Sequence, residues 1–247
     1  RGAQAVGLSW RESRGGSARA CGESTGVMAF NIFRLCGDML HVTSILLLLY
    51  KLHKSKNCAG VSCRTQELYA VVFILRYSDL LWAYISLYNS IMKSLFIIST
   101  VYLVYLMRVE PPVATTYERE KDSFNYELYI LPPAAVLGFL TSQAWTLPDI
   151  MWTSSIWLES VAILPQLVFL QQIREVENLT SNFVGAMGAY RIFYILNWIV
   201  RYYEDGRVNW VAWLGAIVQT ALYVDFFFYY TKSKVSGKKL LLPEATV

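Results

Sequence analysis

Charge is scarce in this chain. Only 16% of its 247 residues are Asp, Glu, Lys or Arg, against about 25% in an ordinary soluble domain. Histidine occurs twice, at His41 and His53. The four cysteines, Cys21, Cys36, Cys58 and Cys63, do not form a disulfide framework. Cys58 and Cys63 have a C-x4-C spacing, but no second pair follows to complete a zinc site. A net charge of +4 is too mild to point to nucleic acid. There is no heptad or solenoid repeat and no nucleophile–base set, so neither an enzyme nor a cofactor or metal is expected. What is abundant is apolar and aromatic: 55% and 15% of the chain. That balance is one of a membrane protein, with aromatics for interfacial belts or a lined cavity.

Residues 1–27, rich in Gly, Ser, Ala and Arg, have no apolar periodicity and no h-region of a signal peptide. The expectation is a disordered leader or a translated upstream stretch, with Met28 the better start. From there apolar runs recur at about 29–50, 67–87, 91–107, 128–145, 148–171, 182–202 and 208–231. Most reach the ~20 residues that cross a bilayer. The expected organisation is a seven-helix membrane domain over 28–231 and a tail over 232–247.

Basic residues are unevenly shared among the loops. Those after spans one, three and five, with the tail, hold twelve Lys/Arg, and the opposite loops hold Lys93 and Arg207, with Arg201 at a span end. The positive-inside rule then makes the C-terminus cytosolic and the N-terminus luminal or extracellular. The sequon Asn178-Leu179-Thr180 falls on the cytosolic side, where it stays unglycosylated. Two helix triplets joined by a fourth span read as parallel repeats, as in the SWEET sugar transporters. Pro165-Gln166 in span five matches a pair found in their PQ-loop relatives, and also reads simply as a proline kink.

Charges inside the spans carry the functional information. Arg34, Asp38 and His41 share one face of span one, and Arg76 and Asp79 lie a turn apart in span two. Asp149 and Glu159 are in span five, Arg191 and Arg201 in span six, and Asp225 in span seven. An ionised side chain at the bilayer centre costs on the order of 3 kcal/mol, so these groups must point inward. Single pairs such as Arg34–Asp38 read as structural ion pairs. The whole set reads differently. Tyr190, Tyr194, Asn197 and Arg201 run down one face of span six, with Arg191, Tyr194, Trp198 and Arg201 beside them. Arginine forks bind carboxylates in pairs of hydrogen bonds, so four of them point to a ligand with several carboxylates.

The stretches GVSCRTQELYAVVFILRYSDL and IWLESVAILPQL resemble the two signature regions of the KDEL receptors, the family that retrieves escaped endoplasmic-reticulum proteins. NIFRLCGDMLH, ISLYN, YRIFYILNWIVR, YVDFF and GKKLLLP are similar too, and the likeness runs from Asn31 to about Pro243. It implies an all-α fold of seven transmembrane helices in a SWEET-like arrangement, in endoplasmic-reticulum and cis-Golgi membranes, with a luminal N-terminus and a cytosolic C-terminus. The implied ligand is a C-terminal tetrapeptide of the Lys-Asp-Glu-Leu type, with three carboxylates and one ammonium. By resemblance Arg76 holds the terminal carboxylate with Tyr77 beside it. Arg34 and Arg201 pair with the acidic side chains, framed by Asn197 and Trp198. Asp79, Asp149 and Trp152 receive the lysine. Arg191, Glu159, Tyr190 and Tyr194 form a polar floor that rearranges.

His41 reads alone as a core histidine, but in this company as a pH switch between neutral and acidic compartments. By resemblance Asp225 serves retrograde movement, and Lys238 and Lys239 form a retrieval signal for the COPI coat; the lysines also read as ordinary membrane anchoring. Three departures stand out. Asp149 replaces the usual Glu, Ala83 replaces a small polar residue, and the tail ends PEATV, longer than usual. Rival readings are a small-solute transporter of SWEET or PQ-loop type, an intramembrane aspartyl protease and a seven-helix signalling receptor. The cavity charges, the missing motif context of the aspartates and the short loops with triplet symmetry disfavour them in turn.

Overall fold

The computed structural model describes residues 32–206 and 208–242. The leader, Met28, Asn31, Arg207 and the PEATV ending lie outside the described residues. The chain forms α1 (Ile32–Ser55), α2 (Cys63–Arg76), α3 (Leu87–Arg108), the short α4 (Tyr126–Tyr129), α5 (Leu131–Thr141), α6 (Leu147–Val161), α7 (Leu164–Ile173), α8 (Asn178–Asp205) and α9 (Trp210–Ser236). A two-residue strand, β1 (Glu175–Val176), pairs antiparallel with β2 (Leu240–Leu241).

Local chemistry sets these boundaries. The Ser62 hydroxyl accepts from the Thr65 N–H at the start of α2, and Ser86 and Asn209 cap α3 and α9 in the same way. Gly206 and Gly237 end α8 and α9 in the left-handed region, at φ of 64° and 65°. Pro165 follows the break between α6 and α7, where it costs no helical hydrogen bond.

Polarity is inverted relative to a soluble bundle. On α9 the side chains of Trp210, Leu214, Ile217, Val224 and Phe228 are exposed at helical spacing, while Gln219 and Tyr223 are buried on the other face. An apolar outside and a polar inside suit a lipid solvent. Among the described residues, five segments are long and apolar enough to cross a membrane: α1, α3, the α6–α7 run, α8 and α9.

The other two expected spans are shorter than the apolar runs suggested. Over 67–87 the helix stops at Arg76, where the Tyr77 N–H donates back to Phe73. The chain then makes a 3-10 turn over Ser78–Leu81. Arg76 and Asp79 pair with side chains on other helices there, so tertiary ion pairs override the apolar pattern. Over 128–145 the apolar helix is Tyr126–Thr141, and the next residues turn onto Asp149.

Helix α1 packs along α8, α2 against α3 and α6, and α9 against α6 and α8. Close approach is needed where α5 meets α6: a Cβ on Gly138 would lie 1.9 Å from Ser154 Oγ and 2.5 Å from its Cα. At the end opposite the Ser78–Leu81 turn, Gln166 ties the helices together. Its side chain accepts from Ser62 N–H at 2.8 Å and donates to the Gly60 carbonyl at 2.9 Å, and its own N–H donates to Thr65 Oγ1. The Pro-Gln pair therefore carries a structural clamp as well as a helix break. Close by, the buried Lys51 donates to Thr180 Oγ1 and the Ala59 carbonyl and pairs with Glu177. Thr180 of the sequon is thus buried and engaged.

Candidate functional site

Helices α1, α2, α3, α6 and α8 enclose a polar cleft, described by two adjoining cavities of about 330 and 300 Å³. They share Arg34, Arg76, Tyr77, Asn89, Lys93 and Trp152. The first also holds Asp79 and Asp149. The second, lined by α8, holds Asp38, His41, Glu159, Tyr190, Arg191, Tyr194, Asn197, Trp198 and Arg201. All thirteen ligand residues expected from the sequence therefore line one or other cavity, and His41 lies among them.

Glu159 is the hub of the floor. Its carboxylate, 4% exposed, pairs with Arg76 from α2 and Arg191 from α8, and accepts from the Tyr190 hydroxyl at 3.1 Å. A buried carboxylate flanked by two guanidiniums is tolerable because each charge has a partner. Arg76 also donates from Nε to Ser155 Oγ at 3.1 Å. Its Nη2 is buried with no hydrogen-bond partner among the described residues, and so are Arg191 Nε and Asn197 Oδ1. Buried donors and acceptors in this condition are costly, and here they border a cavity.

Asp38 is held from three sides. It accepts from the Tyr194 and Tyr88 hydroxyls and lies 3.9 Å from Arg34 Nε. His41 does not join that carboxylate. It is 4% exposed in an aromatic cage, stacked on Tyr190 at 4.3 Å and 10°, with Phe96 and Phe73 at 4.8 and 5.4 Å. Tyr190 thus links the imidazole to Glu159.

The acidic side of the cleft is also engaged. Asp79 Oδ2 accepts from Lys93 Nζ at 2.6 Å. Asp149 Oδ2 accepts from Ser142 Oγ and from the backbone N–H groups of Gln143 and Ala144, at 2.6 to 2.8 Å. It thereby closes the turn before α6.

Sequence reasoning missed several lining residues, among them Lys93, Tyr88 and Asn89. Lys93 was counted as a loop charge but lies 8% exposed in α3. Tyr88 and Asn89 stand inside the ISLYN motif, which marked the place without assigning the residues. Asp225, Lys238 and Lys239 lie elsewhere. Asp225 lines a separate cleft with Leu164, Leu167 and Gln171. The tail is fixed to the α7–α8 link, where Lys239 pairs with Glu175 and the Leu242 N–H donates to the Arg174 carbonyl.

A mostly helical membrane protein with a charged, internally paired cleft defines a multi-pass binding protein. Residues 57–201 match the model of the ER lumen protein retaining receptor family. An ER lumen protein-retaining receptor of Plasmodium falciparum is 54% identical over 215 residues, covering 86% of this chain and 97% of that protein. Those of Petunia hybrida and Gallus gallus (receptor 2) are 48% and 44% identical, each covering 86% of this chain and 99% of the relative. The chain belongs to the ER lumen protein-retaining receptor family. It is therefore a receptor rather than an enzyme, and the transporter reading is disfavoured.

Proposed function

We propose that this receptor binds C-terminal Lys-Asp-Glu-Leu-type tetrapeptides in the cleft and returns their carriers from the Golgi to the endoplasmic reticulum. One observation carries the reading. The α8-lined cavity sets four guanidiniums, Arg34, Arg76, Arg191 and Arg201, against two carboxylates, Asp38 and Glu159, while Lys93 is answered by Asp79. That surplus of arginine over carboxylate suits a ligand with several carboxylates. Arg76 offers the peptide's terminal carboxylate its unpartnered Nη2, with Tyr77 beside it. Arg34 and Arg201 serve the acidic side chains, with Asn197 and Trp198 framing them. Asp79, Asp149 and Trp152 supply the opposite polarity for the first-position lysine. Arg191, Glu159, Tyr190 and Tyr194 form the floor that rearranges.

His41 is the pH sensor in this reading. A proton there adds positive charge beside the anion site, so ligand binding and protonation favour one another, tight in acid and loose at neutral pH. The topology is seven spans in two parallel triplets joined by α5. Its support is the pairing pattern: α2 and α1 each touch α3 as α8 and the α6–α7 segment each touch α9, and α1–α8 and α2–α6 join the triplets. Residues 1–27 are read as a leader or a translated upstream stretch, 28–231 as the membrane domain and 232–247 as the cytosolic tail. The N-terminus is luminal. Lys238 and Lys239 engage the COPI coat, and Asp225 acts in retrograde movement, apart from the ligand.

The test is binding of a labelled peptide ending in Lys-Asp-Glu-Leu to purified protein, in acid and at neutral pH. Binding only in acid, lost when the peptide's C-terminus is amidated, is expected. No binding in acid refutes this ligand.

A further inference from the structure

Lys93 is the cation that none of the roles above requires. Its ammonium lies 2.6 Å from Asp79 Oδ2 and 5.7 Å from the centroid of the Tyr77 ring. The side chains are 11% and 20% exposed, so the pair is mostly shielded from solvent. The other oxygen, Asp79 Oδ1, is buried with no hydrogen-bond partner among the described residues. Asp79 thus has one acceptor engaged and one idle, in the same cavity as Asp149 and Trp152.

We infer that Lys93 is a specificity-determining residue: a built-in cation that competes with the ligand's first-position ammonium for Asp79. The inference rests on the peptide-receptor reading above. A ligand ammonium that reaches Asp79 meets the like charge of Lys93 within a few ångströms. It either shares the carboxylate against repulsion or displaces Lys93. A peptide with a neutral first residue faces neither cost. Lys93 therefore narrows the advantage of lysine at that position and widens the range of peptides accepted. Specificity of this kind is a difference between affinities, tuned here by a repulsive element. If Lys93 served only to hold the Ser78–Leu81 turn, its loss would weaken all peptides alike.

The experiment compares dissociation constants for peptides ending in Lys-Asp-Glu-Leu and Ala-Asp-Glu-Leu, with the full chain and its Lys93→Met and Lys93→Arg variants. The expected result is a preference for the lysine peptide that rises about tenfold in Lys93→Met and stays within about twofold of wild type in Lys93→Arg. An unchanged or smaller preference in Lys93→Met overturns the inference. Should Lys93→Met fail to fold, Lys93→Gln takes its place in the same comparison, and a preference unchanged from wild type in Lys93→Gln refutes competition. If the wild type binds neither peptide, the receptor reading falls and takes this inference with it. If it binds both and the preference does not move, only the role of Lys93 falls.

Discussion

Replacing Arg76 with lysine separates charge from geometry at the centre of the cleft. The guanidinium uses Nη1 for Glu159 and Nε for Ser155, and its Nη2 is buried without a partner among the described residues. A lysine ammonium keeps the charge and reaches one partner, but it cannot hold Glu159 and present a fork to a peptide carboxylate. A hydrogen bond to a charged group contributes about 1.5–3 kcal/mol, or about 10- to 150-fold in Kd. The lost Ser155 contact lowers stability by only about 1 kcal/mol. Arg76→Lys should therefore unfold near the wild-type temperature yet bind the peptide about 10- to 150-fold more weakly. Fluorescence polarisation in acid with the free-acid peptide and its C-terminal amide completes a double-mutant cycle. The variant should cost the free acid far more than the amide. Equal losses for both peptides would show that Arg76 does not meet the terminal carboxylate. A collapse in thermal stability would show that the guanidinium's several hydrogen bonds mainly hold the floor together.

Three other outcomes follow from the same structure. Gly138→Ala forces a Cβ against Ser154 backbone and side chain, so α5 and α6 must part; a loss of more than about 2 kcal/mol is expected in unfolding measurements. His41→Ala should flatten the pH dependence of peptide affinity, and an unaltered pH profile would place the switch on another group. Asp225→Asn, in a separate cleft, should leave peptide affinity within about twofold while slowing retrograde movement in cells; a large affinity loss would overturn its assignment to trafficking.

The membrane class was legible because lipid imposes long apolar helices, and five of them lie where the hydropathy runs placed them. The cleft was legible because charges in a membrane must converge: Arg34, Arg76, Glu159, Arg191 and Arg201 share a cavity for the reason that drew attention to them. Two details were not. The end of α2 at Arg76 depends on Glu159, 83 residues away in sequence, and no local propensity encodes that pairing. The environment of His41 was also hidden. Asp38, one turn away, is taken by Tyr88 and Tyr194, so the imidazole's neighbours are aromatic rings from α2, α3 and α8. Helical spacing names neighbours on one helix and is silent about the others.

These pairings bear on how a charged ligand can be bound inside a membrane at all. Arg76 and Arg191 answer to Glu159, Arg34 to Asp38, and Lys93 to Asp79. Groups destined to bind ligand charges must have internal partners, because an unpaired charge there costs several kcal/mol. On the proposed peptide reading, binding is an exchange of ion pairs, and affinity is the small difference between two large sums. Such a balance is tipped by one proton, since a single pKa unit of coupling is worth 1.36 kcal/mol. Tyr190 is placed to transmit it: its ring stacks on His41 and its hydroxyl donates to Glu159. In the proposed reading, a positive imidazole beside that ring competes with Arg76 and Arg191 for the one carboxylate they share, which would loosen the hold on Arg76 and free its fork for an arriving carboxylate.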